Sequence, residues 1–456
     1  MTAIARLAEF VLKTTLDDCP REALTQVRRA MLDTIGVTLA GAREPAARAV
    51  REVARAEGGA PLCTVIGTAL RASPSWAALA NGTAGHAHDF DDTSFTLMGH
   101  PSVPLLAAAL ACGEAEMVDG AAVALAYVVG FEVDAVLGAA VNPEHYQRGW
   151  HATSTIGTLG CAAAAARLLG LDAGRTRHAL GLAASLASGL KENFGSMTKP
   201  FHAGHAAKNG VLAALLAREG LTASERALDG GQGYLAAFSG GDAERLAWQL
   251  DGLGRRWHLV ETGIAVKPYP ACAQTHSAVE ALIELRARHR LQPADVAEVE
   301  IGVHPLTPDI LTYSAPTTGL ERKFSMQFCA AAALAEGRLD LASFADDGVS
   351  NPDVQTLMAR VRMTVDPERG QDVERRAWTR IRLRLADGRV LESPARGAAG
   401  HPDRPLSPEA LRTKFLAGAS TVLAPDEAEA VAEQIDHLEE IPDIRALTSR
   451  LVGPME

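Results

Sequence analysis

The sequence predicts a mainly α protein in which a large all-helical unit carries a smaller inserted α+β unit. Two observations support this. Through the first half, apolar residues recur every three or four positions, the period of one helix face; alternation at every second residue appears only beyond residue 260. The chain's 456 residues also suit two generous units or three ordinary ones. The expected organisation is 1–262 helical, 263–402 α+β, and 403–456 helices returning to the first unit.

The elements follow in order. Leu24, Val27, Met31, Ile35 and Leu39 step along one helix face, with Pro20 suited to its first turn and Gly41 to its end. From Trp76 to Leu216 alanine and leucine dominate, and 104–117, 121–140, 153–169 and 206–219 each read as helices. Residues 160–166 carry only small side chains, so that helix can approach its neighbours closely and sit centrally. The stretch 121–141 is the most membrane-like, but Glu132 and Asp134 interrupt it, and Gly130 and Gly138 suit close packing. It reads as a buried helix rather than a span, which needs about 20 residues with few or no charges. No strand is expected before residue 260. Residues 298–303 alternate, as do Val361, Met363 and Val365, and then Ile381, Leu383 and Leu385 ahead of an Asp387–Gly388 hairpin turn and Val390. Ser407, Pro408 and Glu409 supply an N-cap, a first-turn proline and an early acid; 428–438 and 444–451 are short helical patterns. This tail is too short for a core of its own. There is no internal repeat and no low-complexity tract.

Composition narrows the function. Lys and Arg number 44 against 55 Asp and Glu, a net charge of −11, which argues against a nucleic-acid partner. At 47% hydrophobic the chain is not expected to be disordered. Six widely spaced cysteines without a CxxC pair suggest a reducing compartment. The first fifteen residues lack a long apolar run, so no signal peptide is read and a cytoplasmic protein without membrane attachment is expected.

Ionisable residues gather in four places. His86, His88, Asp89, Asp91, Asp92, Thr93 and His100 fall within fifteen residues, a set open to three readings: metal ligands, a metal-free acid–base site, or capping residues. His151 precedes an alanine-rich helix whose N-terminal N–H groups would suit a carboxylate, with Thr153 or Ser154 as the cap; the alternative is a hydrogen-bonded loop histidine. Lys199 sits among Gly, Pro and small polar residues, where a lysine is either snorkelled or functional. In KPYPACAQTH (267–276) two prolines stiffen the approach to a helix starting near Thr275, and Cys272 and His276 are a weaker candidate for a nucleophilic pair. Phosphate-cradling glycine loops are missing, so no nucleotide cofactor is expected.

With these residues in view, the sequence resembles the MmgE/PrpD family, which includes 2-methylcitrate dehydratases, cis-aconitate decarboxylases and iminodisuccinate epimerases. The matching pieces are HDFDDT (88–93) with HPS (100–102), GWHATSTIGTLG (149–160), GSMTKPFHAGHAA (195–207), KPYPACAQTH (267–276), RKFSMQF (322–328) and GHPDRPLS (400–407). They are co-linear with the family and span nearly the whole chain. The resemblance implies that the inserted unit is a lid, that the protein is a homodimer, and that the site lies between the units. It implies no metal and no organic cofactor, and small polycarboxylate substrates. It places Asp89, His100, His151 and Lys199 as catalytic residues and Thr93, Lys267, Cys272, His276 and Tyr313 around the substrate. In decarboxylating members a histidine stands where this chain has Cys272, and the loop 94–99 differs from the dehydratase pattern.

Residue types give the chemistry. Removing a proton next to a carboxylate needs a base near neutrality, which histidine supplies; the enolate-like charge needs fixed cations, for which Lys199 and Lys267 are candidates. The expected activity is a lyase that eliminates water from a hydroxy-polycarboxylate. The alternatives are epimerisation of an amino- or imino-dicarboxylate, decarboxylation of the cis-aconitate type, and a non-catalytic polycarboxylate-binding protein.

Overall fold

The computed structural model describes residues 1–345, 351–369 and 375–453. It is mainly α with a little β. Helices Pro74–His86, Ser102–Glu116, Gly120–Val141, Gly157–Leu168 and Thr198–Arg218 pack on one another and form the core. Their small residues allow backbone-to-backbone contact. A Cβ added at Gly82 would lie 2.6 Å from Gly204 Cα, and one at Gly204 would lie 2.2 Å from the Leu79 carbonyl oxygen. The antiparallel Pro74–His86 and Thr198–Arg218 helices are therefore locked together about one turn from His86 and one and a half turns from Lys199. Gly120–Val141 is long and apolar enough to cross a membrane; 89% of its most apolar stretch is buried within this chain.

The C-terminal helix Pro408–Ala419 packs on Arg21–Gly41, where Lys414 pairs with the buried Asp33 at 2.6 Å. The sheet has the order Val361–Val365, Val296–Val303, Thr379–Leu385, Val390–Arg396, the first pair parallel and the others antiparallel. Val299, Ile301, Ile381 and Leu383 are buried on one face, which carries helices Ala273–His289 and Met326–Glu336. Arg380, Arg382 and Arg384 stand exposed on the other, the alternation expected of a sheet covered on one side.

Three expectations are corrected. Two short strands precede residue 260, Cys63–Thr64 paired with Arg71–Ala72, each too short to show a period of two. The helix read over 153–169 divides into Ala152–Thr155 and Gly157–Leu168, and neither Thr153 nor Ser154 caps it: His151 holds the N-cap position without a capping bond. The helix read from 206 begins at Thr198, because Pro200 falls in the first turn, where its missing N–H has no helical partner to lose.

Candidate active site

Asp89 organises the site from a strained position. Its φ of 51° is left-handed, a conformation that aspartate tolerates better than most residues. Lys267 Nζ fixes it by donating to the Asp89 carbonyl oxygen at 2.7 Å and to Oδ1 at 2.6 Å. Lys199 Nζ lies 3.3 Å from the same Oδ1. Lys199 comes from the start of a core helix. Lys267 is delivered by the paired N–H···O bonds between Thr93 and Ala265, at 2.9 and 2.7 Å. Burial by itself would raise the Asp89 carboxyl, but the two ammonium groups, followed by His100 and His86, hold it well below the usual carboxylate range.

Behind Asp89, one carboxylate serves two imidazoles. Asp91 Oδ1 is 2.7 Å from His86 Nδ1, and Oδ2 is 3.2 Å from His100 Nδ1, which also bonds the Asp92 carbonyl oxygen at 2.9 Å. Both Nδ1 atoms face acceptors only, so both carry the proton and both Nε2 atoms are bare when the rings are neutral. His86 Nε2 lies 2.7 Å from Lys199 Nζ, and His100 Nε2 lies 3.5 Å from Asp89 Oδ1. Burial lowers the pKa of His100 from its ordinary value and pushes His86 down to about 4. His151 meets His202 through their Nδ1 atoms at 3.0 Å and sets its ring edge-on to Phe194; burial, then Lys199, pushes it well below the ordinary histidine value.

Asp89, Thr93, His100, His151, Lys199, Lys267 and Cys272 line one cleft of about 520 Å³, counting its open mouth. Two expected residues stand apart from its lining. His276 bonds the Ala271 carbonyl oxygen through Nε2 at 3.0 Å and faces a smaller neighbouring cavity, and Tyr313 donates to the Phe194 carbonyl oxygen at 2.7 Å. The Cys272–His276 pair is also set aside, because that carbonyl engages His276 while burial, then Asp89, pushes the Cys272 thiol up to about 11. The sequence reading missed Gln274 and Arg376 in the lining and the roles of His86 and Asp91 behind it. The five-residue spacing of His86 and Asp91 across a helix end was the available signal.

Asp92 points the other way, into the core. It bonds Ser102, whose hydroxyl meets Tyr127 Oη at 2.7 Å. Burial, then Asp33, pushes its carboxyl up to about 8, so at pH 7 it is protonated when folded and ionised when unfolded. Its contribution to stability is complete below the ordinary value of 3.8 and falls as pH rises towards about 8. Asp92→Asn should flatten that decline, by at most about 1.4 kcal/mol per pH unit, with activity little changed. Urea midpoints at pH 5 and pH 8 check this; an unaltered slope would show that Asp92 is not its source.

His86, Asp89, Asp91 and His100 each offer a ligand atom, all within 4.8 Å of one another. Two ammonium groups already crowd Asp89, however, and both Nδ1–H groups point towards Asp91 or its neighbouring carbonyl. A dication there would meet Lys199 and Lys267 as like charges, so the donor set does not suit one. As it stands, the arrangement offers a bare imidazole nitrogen facing a cleft with two fixed cations beside it.

The sequence matches two family models, the MmgE/PrpD N-terminal domain over residues 5–246 and the MmgE/PrpD C-terminal domain over 269–440. A cis-aconitate decarboxylase of Mus musculus is 32% identical, covering 94% of this chain and 88% of its own. One from Aspergillus terreus is 26% identical over 99% and 96%. A 2-methylcitrate dehydratase of Cupriavidus necator is 27% identical over 30% of each chain.

Proposed function

The chain belongs to the MmgE/PrpD family, and from that premise we propose a lyase that acts on small polycarboxylates without a metal or organic cofactor. The observation that carries the reading is His100, held by its Nδ1–H with a bare Nε2 at the cleft beside Lys199 and Lys267. In the proposed reaction His100 Nε2 takes the proton α to a substrate carboxylate. The C–H electron pair moves into that carboxylate, whose developing charge meets the two ammonium groups. As the electrons return to form the double bond, hydroxide leaves the neighbouring carbon, and Lys199 gives it a proton to release water. His151, on the other wall motif, is the alternative proton-abstracting histidine. Segment 263–402 is read as a lid over 1–262, completed by 403–456, in a cytoplasmic homodimer.

Loss of water is favoured because the Cys272 thiol, at about 11, keeps its proton near neutrality and offers no histidine-like acid or base at that wall. Decarboxylation of a cis-aconitate-like acid is the second reading, favoured by relatives of that name that match over 94% and 99% of this chain. Incubation with citrate-like, methylcitrate-like and aconitate-like acids in deuterated buffer, followed by NMR, tests both. Olefin formation from a hydroxy acid supports dehydration, and release of carbon dioxide with deuterium in the product supports the second reading. If no acid gains deuterium or turns over, the lyase reading falls. Dialysis against a chelator should leave turnover unchanged; loss of activity restored by one metal would refute the cofactor-free chemistry.

A further inference from the structure

The cleft histidines do not account for His86, which is fully buried behind the lining and touches no solvent. Its surroundings are specific. Asp91 takes the Nδ1–H at 2.7 Å, and Nε2 faces Lys199 Nζ at 2.7 Å. A protonated His86 would point a second N–H at an ammonium, so the ring is neutral and Nε2 accepts from Lys199. That bond and the 3.3 Å contact with Asp89 restrain two of the three Lys199 N–H groups, leaving one for the substrate.

We propose that His86, with its tautomer set by Asp91, is the positioning residue that keeps Lys199 charged and aimed as the proton donor. This rests on the reading of Lys199 as the acid of the elimination. The titratable groups around Lys199 Nζ are His86, Asp89, Asp91, Lys267, Cys272, His100, His151 and His202, with the Phe194 and Phe324 rings each at 5.3 Å. His86 is faced by Asp91, Lys199, His100, His151, Asp89 and His202. Burial lowers the Lys199 pKa from its ordinary value. A bare acceptor opposite the ammonium favours the charged form, so losing it would lower that pKa further. The rate, which needs the charged form, would then fall away at lower pH.

Two substitutions separate this role from a structural one. His86→Asn keeps a donor for Asp91 near the position of Nδ1 but removes the acceptor at Nε2. His86→Gln places a carbonyl near the position of Nε2. The expected result is that Asn lowers kcat by roughly ten- to hundredfold, changes KM little and moves the alkaline limb of the kcat profile to lower pH, while Gln recovers most of the loss. A purely structural His86 predicts the reverse order, since Asn keeps the Asp91 bond. That order, or equal losses with an unmoved limb, overturns the proposal. Lys199→Met is the control. If it remains active, the acid reading of Lys199 has failed; if it is inactive while the Asn and Gln results run the other way, only the role of His86 has failed.

Discussion

His100→Asn should cost roughly 10²–10⁴ in kcat and leave the fold intact. Asn suits this site because its amide nitrogen falls near the position of Nδ1, where the wild-type ring bonds the Asp92 carbonyl oxygen at 2.9 Å. What it lacks is the nitrogen that faces the cleft. The His100 backbone N–H bonds Thr153 Oγ1 at 2.9 Å and is untouched by the change. The pH dependence has a definite sign. Burial lowers the His100 pKa, so the free base is already formed below the ordinary histidine value and the acid limb of kcat/KM should lie at lower pH than 6.5. The variant should also lose deuterium exchange into substrate, which reports proton abstraction apart from later steps. An Asn variant that exchanges at close to the wild-type rate would remove His100 as the base. His151→Asn is the comparison. It should be slower than wild type through loss of a cleft-lining imidazole, but less so than His100→Asn; if it is much the slower of the two variants, the base is His151.

Much of this site was legible through the stretches that resemble the MmgE/PrpD family; on residue types alone the 86–100 cluster and His151 also admit ordinary structural readings. Asp89, Thr93, His100, His151, Lys199, Lys267 and Cys272 come from four separate stretches and line one cleft. What stayed hidden depends on direction rather than identity. Asp91 and Asp92 are neighbours of the same type, yet Asp91 turns to two imidazoles and Asp92 to Ser102. No periodicity in a loop reveals that split. Arg376 reaches the cleft from just before the strand Thr379–Leu385, whose arginines face outward, so its lining role is absent from the alternating pattern. Helices are legible in the alanine- and leucine-rich stretches 104–117, 121–140, 153–169 and 206–219, whereas Ala3–Lys13, Pro45–Glu57 and Met326–Glu336 escape the sequence reading despite their apolar faces or alanine runs, and the start of Thr198–Arg218 escapes it where proline sits inside the first turn. Pro200 and Gly204 looked like loop residues; the first occupies a helix start and the second a backbone contact with the Pro74–His86 helix.

Lys199 and Lys267 look interchangeable in the sequence, and their contacts predict that they are not. Lys267 is almost completely buried and engages both the carbonyl oxygen and Oδ1 of Asp89, so it holds the loop as well as a charge. Lys267→Met would leave Asp89 buried with Lys199 at 3.3 Å as its remaining ammonium partner among the described residues. Breaking a buried pair from one side costs about 3–5 kcal/mol, so this variant should lose both activity and several degrees of melting temperature. Lys199→Met leaves the 2.6 Å Lys267–Asp89 contact in place and should lose kcat with a smaller change in melting temperature. The separation extends to the double variant. Asp89→Asn combined with Lys267→Met removes the stranded carboxylate, so stability should recover relative to Lys267→Met alone while activity does not. For substrate binding, loss of either cation should raise KM by roughly ten- to hundredfold, the scale of one shielded ammonium–carboxylate contact. Thermal unfolding and steady-state kinetics on the three variants decide the matter. Near-silent substitutions would mean that neither lysine carries substrate charge or holds the Asp89 loop, and a double variant no more stable than Lys267→Met would mean that Asp89 is not the group Lys267 neutralises.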